Sequence, residues 1–264
     1  MALRSVFAKT VYDRRHGLLW WNLGIGVMTV ATMSVWPSVR DEYAKLVENY
    51  PTALLAFFGI DKAGLGTSAG YLQAELFSLL VPLAFIAYMI AGASSTIAGE
   101  REVGTLELLL AQPVSRPRIA SEKFLGLCAS LAVIAGGFAV VVVVFSRVFD
   151  LRVGAVDIVA ATASAYLLAV LFGAAALLAG CLTGHRAFAA GLAAVVAGAA
   201  YLLTSLGSLV SGIRRFRPAS PFWWYSGHDP LRHGLEPLHV ALLVGVTLVL
   251  FALALVAFER RDAV

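Results

Sequence analysis

The chain has 264 residues, one ordinary domain's worth, yet 60% of them are apolar or aromatic and only 14% are charged, where soluble domains hold about 45–50% and about 25%. So few charges cannot cover a water-exposed surface, which excludes a soluble globular domain, a disordered chain and a nucleic-acid-binding module. The net charge of +4 does not reverse this, because the basic residues flank apolar runs, where lipid headgroups and membrane topology place them.

In chain order, the first sixteen residues put Leu3, Phe7 and Val11 on one helical stripe, with Arg4, Lys9, Arg14 and Arg15 around it. That pattern predicts a short helix lying in the membrane interface over residues 1–16. Six runs long enough to cross a hydrocarbon core follow: Gly17–Trp36, Leu76–Ala98, Phe124–Ser146, Ile158–Gly184, Ala187–Ile213 and Val240–Phe258. None contains Asp, Glu, Lys, Arg or His. They do not alternate, so they read as helices rather than barrel strands. The first run exceeds the apolar core of a signal peptide and is read as a retained helix. The loop Pro37–Glu75 carries apolar patches at Ala53–Phe58 and Tyr71–Leu72, and is expected to fold back onto the membrane. Pro82 removes a backbone donor from the second run and predicts a kink. Small residues at four-residue spacing, Ala176–Gly180–Gly184 and Ala190–Ala194–Gly198, suit close helix contact. Packing within one chain is the preferred reading of both faces, a seam between two chains the alternative. Cys128 and Cys181 sit inside apolar runs and offer neither a disulfide framework nor a metal site.

Eleven of the 20 basic residues fall in the 49 positions that are cytoplasmic if the N-terminus is inside, and nine fall in the 76 positions opposite. The bias favours both termini in the cytoplasm.

What the sequence lacks bears on energy. The spans hold no ionisable residue of the kind ion-driven transporters use. The only lysines, Lys9, Lys45, Lys62 and Lys123, end no phosphate-cradling loop. There is no H-E-x-x-H and no G-x-S-x-G, and Ser94, Ser95, Thr96, Ser164 and Ser211 have no base nearby in sequence. The chain therefore reads as neither a self-powered pump nor a membrane hydrolase. Uphill transport would need another protein to supply force through a cytoplasmic docking surface.

The segment Gly99–Arg116 fits that role. Val103, Leu106 and Leu110 share a helical face with Leu109 beside it, Glu100, Glu102 and Glu107 surround it, and Pro113 ends it. Such a short amphipathic helix needs a partner, and its acidic residues argue against adhesion to an anionic leaflet. Near the other end, Phe222, Trp223, Trp224 and Tyr225 favour the headgroup zone and predict a re-entrant or interfacial element over residues 214–239. His228, Asp229, His233, Glu236 and His239 cluster there, but their irregular spacing, broken by Pro230 and Pro237, argues against a metal site.

The loop resembles the signature of bacterial ATP-binding-cassette (ABC) exporter permeases of the type-2 class, E-R/K-E-x-G-T-x-E-x-L-L-x-x-P-V-S-R, matched by Glu100, Arg101, Glu102, Gly104, Thr105, Glu107, Leu109, Leu110, Pro113, Val114, Ser115 and Arg116. The stretch 220–234 is similar to one preceding the last span in a subgroup of these permeases, and Phe258–Asp262 resembles their usual ending. The resemblance implies an all-α integral membrane protein, a single six-helix transmembrane domain over 1–264 with an N-terminal interfacial helix. It implies a second permease chain, identical or different, and two nucleotide-binding ATPase subunits that hold ATP and Mg, with no cofactor in this chain. The coupling helix falls on Glu102–Gln112, so Glu100, Arg101, Glu102, Val103, Gly104, Thr105, Leu106, Glu107, Leu109, Leu110, Pro113 and Arg116 are the expected ATPase-coupling residues. Phe222, Trp223, Trp224, Tyr225, Asp229 and Arg232 are the expected outer gate or interface. The expected location is a bacterial inner membrane, and the expected cargo an apolar or amphipathic drug, antibiotic or lipid. A secondary transporter, or an anchoring or sensing subunit, is the alternative.

Overall fold

The computed structural model describes residues 6–48, 51, 67–102, 104 and 115–260. Among them every regular element is helical. The elements are α1 (Val6–Asp13), α2 (Arg15–Glu48), α3 (Ser68–Glu102), α4 (Arg116–Val148), α5 (Ala155–Thr183), α6 (Arg186–Leu206), α7 (Ser211–Arg214), α8 (Pro221–Ser226), α9 (Pro230–His233) and α10 (Pro237–Arg260). Six of them, α2 through Arg40, α3, α4, α5, α6 and α10, are long and apolar enough to cross a membrane.

The chain enters at the end of the bundle where α1 lies. α2 runs well past the apolar stretch that ends at Trp36, through Pro37 to Glu48. The residues beyond Pro37 include Arg40, Glu42, Ala44, Lys45 and Leu46, strong helix formers that carry the helix on where hydrophobicity stops. α5 is the central helix, packed by α3, α4, α6 and α10. Small residues allow this: a Cβ on Gly173 would meet Met89 Cε at 2.5 Å, and one on Gly180 would touch Ala98 and Ser94 of α3 and Ala189 of α6. Ala176 is fully buried, so the small-residue face of α5 is used within the chain. Phe138 of α4 completes the core, edge-on to Phe77 and Phe85 of α3 with centroids 5.5 and 6.1 Å apart.

Gly184 closes α5 in the left-handed conformation at φ 72°, its N–H bonded to the Gly180 carbonyl at 2.8 Å. A side chain would strain this cap, which lets α6 begin two residues later and return beside α5.

α3 is the irregular helix. It breaks at Ser78–Leu79, where Leu79 sits at φ −139°, ψ −49°. Pro82 explains the break: it offers no N–H to the Ser78 carbonyl, and its ring crowds that oxygen. A π-turn, Gln73–Phe77, precedes the break, and a second, Ser95–Gly99, lies at the far end. There Ser95 and Thr96 both donate to the Gly92 carbonyl, at 2.8 and 2.9 Å. Such back-bonding loosens a helix, and the wider turn re-phases the chain just before Glu100.

Candidate functional site

At the α1 end, three carboxylates tie the helices together. Glu122 of α4 accepts the Phe7 N–H at 3.2 Å and so caps the start of α1. Arg118 holds the same carboxylate from one turn earlier at 2.9 Å. Glu100 of α3 forms an ion pair with Lys123 of α4. Lys123 is only 7% exposed, so its charge depends on that partner. Glu102 accepts the Arg186 N–H at 2.8 Å. His185, the N-cap residue of α6, makes no side-chain cap bond, so Glu102 does the work of an N-cap from another helix, with its charge at the positive end of the α6 dipole. Gly104 follows in the left-handed conformation at φ 76°, its N–H bonded to the Arg101 carbonyl at 3.1 Å. Among the described residues of this stretch, Arg101, Glu102, Gly104 and Ser115 are exposed, and Arg116 opens α4.

Between α3 and α6 runs an apolar cavity of about 550 Å³, lined by Leu83 and Ile90 on one wall and Ala194 and Gly198 on the other, with Tyr201 and Phe222 at one end. Among the described residues, no ionisable side chain other than the Tyr201 phenol lines it. Ala194 and Gly198 are exposed within the single chain. Ala190 packs against the core, while Ala194 and Gly198 of the same α6 face are not packed internally, so the preferred sequence reading holds for that face only at its start. Alternation of small residues alone does not reveal whether the helix opposite stands close enough to fill the gap.

At the opposite end, α8 dips into the bundle. Its N-cap Ser220 accepts the Phe222 N–H at 3.2 Å while donating to the Ala200 carbonyl of α6 at 2.7 Å. Tyr225 is 3% exposed. Its hydroxyl donates to the Phe77 carbonyl at 2.6 Å, and its own carbonyl accepts from Ser164 at 3.0 Å. Ser164 lies about 14 Å along α5 from its first residue at the standard helical rise, which measures the depth of the dip. Phe222 packs against Phe172 and Tyr201, with centroids 5.9 and 5.4 Å away. Trp223 and Trp224 are half-buried: the former lies under the Arg217 guanidinium at 4.3 Å, and the latter donates its indole N–H to the Pro218 carbonyl at 2.7 Å. Asp229 pairs with Arg232 at 3.3 Å.

A family model described as "ABC-2 family transporter protein" matches residues 4–216. The chain belongs to the ABC-2 transporter family. A comparison with curated proteins gives no match. It is therefore a multi-pass membrane permease of an ABC transporter, all-α with six candidate spans, and permeases of this family work with an ATP-binding subunit.

Within the ABC-2 permease, Val103, Thr105, Leu106, Glu107, Leu109, Leu110 and Pro113 lie outside the described residues. Glu100 and Glu102 bind the bundle itself, one α4 and the other α6. Sequence reasoning did not single out Lys123, Arg186 and Glu122. A charge next to an apolar run signals only a membrane boundary, and which acid meets it depends on helix order. Of the outer residues, Phe222 and Tyr225 are interior, Trp223 borders a polar pocket, and Asp229 forms an ion pair with Arg232 through Oδ2. Among the described residues no group of three or more His, Cys, Asp or Glu could hold a metal ion.

Proposed function

We propose that this permease is the pathway-forming half of an ATP-driven exporter of apolar or amphipathic compounds, with ATP and Mg held by two copies of a separate ATPase. The observation that carries the reading is the convergence of the two cavity walls on one carboxylate. α3 and α6 line the apolar cavity, and Glu102, on α3, caps α6. Glu102 also opens segment 102–112, the coupling helix, whose apolar face suits a groove on the ATPase. When ATP closes the ATPase pair, displacement of that helix pulls on both walls at once, and rigid packing carries the shift along the spans. The cavity lining favours lipophilic cargo, and Phe222 on the buried α8 forms its gate. The exposed face of α6 is closed by a second permease chain. The α1 end is cytoplasmic, with both termini, in a bacterial inner membrane, following the charge bias.

The test is co-reconstitution with its ATP-binding subunit in proteoliposomes. ATP-dependent movement of a lipophilic dye, lost with Leu106→Asp in the coupling helix while ATP hydrolysis persists, supports the reading. Uptake driven by an ion gradient in the isolated chain would establish the secondary-transporter alternative. ATP-dependent movement of polar ions but not lipophilic dyes would overturn the cargo class.

A further inference from the structure

A second, polar pocket of about 370 Å³ lies at the end of the bundle opposite α1, separated from the apolar cavity by α8. Gln73, Arg217, Trp223, His228, Arg232 and one carboxylate, Asp229, are among its lining residues. Its charges are unequally matched. Asp229 is engaged with Arg232 at 3.3 Å, and Glu236 takes His228 and His239 at 3.6 and 3.3 Å. Arg217 has no acidic partner among the described residues, and its buried Nε–H bonds to nothing. Its stem lies against Gly207, where a Cβ would stand 2.4 Å from Arg217 Cγ, and its guanidinium carbon lies over the Trp223 ring, 4.3 Å from the centroid. Burial, and then Arg214, both work against its charge. A positioned guanidinium with an unpartnered Nε–H and no carboxylate of its own is suited to an oxyanion.

We propose that this pocket binds a phosphate group, with Arg217, the arginine of the pocket that no carboxylate holds, as its anchor. The phosphate arrives either on a lipid headgroup or on a free phosphate-bearing solute. Trp223, beside it, is the ring type that sits at headgroup depth. The preceding residue, Phe222, faces the apolar cavity.

The test uses the full chain and reads binding, not transport, so it stands apart from the exporter reading. Detergent-solubilised protein is titrated with sodium phosphate by calorimetry. Nanodiscs of phosphatidylglycerol, or of an uncharged glycolipid, are compared by native mass spectrometry for retained lipid. Retention of phosphatidylglycerol that falls about tenfold in Arg217→Ala, without phosphate binding, assigns the lipid headgroup. Phosphate binding lost in the same variant assigns the free solute. Arg217→Lys keeps the charge but not the guanidinium and is expected to bind with intermediate affinity, which separates recognition from misfolding. Absence of both ligands, or binding unchanged in Arg217→Ala, overturns the proposal.

Discussion

Removing the Glu100 carboxylate is the sharpest perturbation the structure offers. Lys123 and Glu100 have side chains 8% and 29% exposed, and Lys9 and Arg14 stand near enough to repel the Lys123 ammonium. Glu100→Gln therefore strands a nearly buried cation among like charges. Breaking a fully buried pair costs about 3–5 kcal/mol. The partial exposure of Glu100 lets water replace some of that, leaving about 2–3 kcal/mol. At roughly 2–4 °C per kcal/mol for a chain of this size, the melting midpoint falls by roughly 4–12 °C. Lys123→Met alone leaves a carboxylate that is 29% exposed and partly hydrated, and costs less, and the double variant recovers most of the loss, because two uncharged side chains need no partner. The assay is a double-mutant cycle by thermal unfolding in one detergent, with the oligomeric state checked for each variant. A coupling energy under about 0.5 kcal/mol would show that the pair does not hold α3 to α4.

Other changes probe the remaining joints. Glu102→Ala uncaps α6 and should cost about 1 kcal/mol while sharply lowering transport per ATP hydrolysed. Glu102→Gln, which keeps an acceptor for the Arg186 N–H, should retain most of the coupling, and equal behaviour of the two would separate the cap from the mechanism. Gly173→Val drives a side chain into Met89 and should cost about 1–3 kcal/mol, with melting partly restored by adding Met89→Ala. Tyr225→Phe leaves the buried Phe77 carbonyl without its donor and should cost about 1–3 kcal/mol. If Phe222 gates the cavity, passive dye leak through proteoliposomes rises in this variant, and an unchanged leak would remove α8 from the gate.

The acidic motif shows how far a sequence reading reaches. E-R-E followed by Gly104 and a face of Val103, Leu106 and Leu110 marks a helix with an outward partner from local pattern alone. That Glu100 and Glu102 turn back to hold α4 and α6 was not legible, since Lys123 and Arg186 are remote in sequence and carry no signal beyond their charge. The four aromatics of α8 fared similarly: a ring suited to the headgroup zone is equally suited to the interior. Ser164 and the Phe77 carbonyl, both distant in the chain, make the interior the better place for Tyr225.

The sequence by itself determined what the hydrocarbon core demands in one dimension: six uncharged apolar runs, a break where Pro82 withholds its N–H, and a short connection between the spans ending at Gly184 and starting at Ala187. Each depends on a residue and its near neighbours. Only the tertiary structure decided which small-residue face is filled. The face of α5 meets α3 and α6, while that of α6 borders an open cavity. The spacing is the same, and the difference lies in how far away the opposing helix stands.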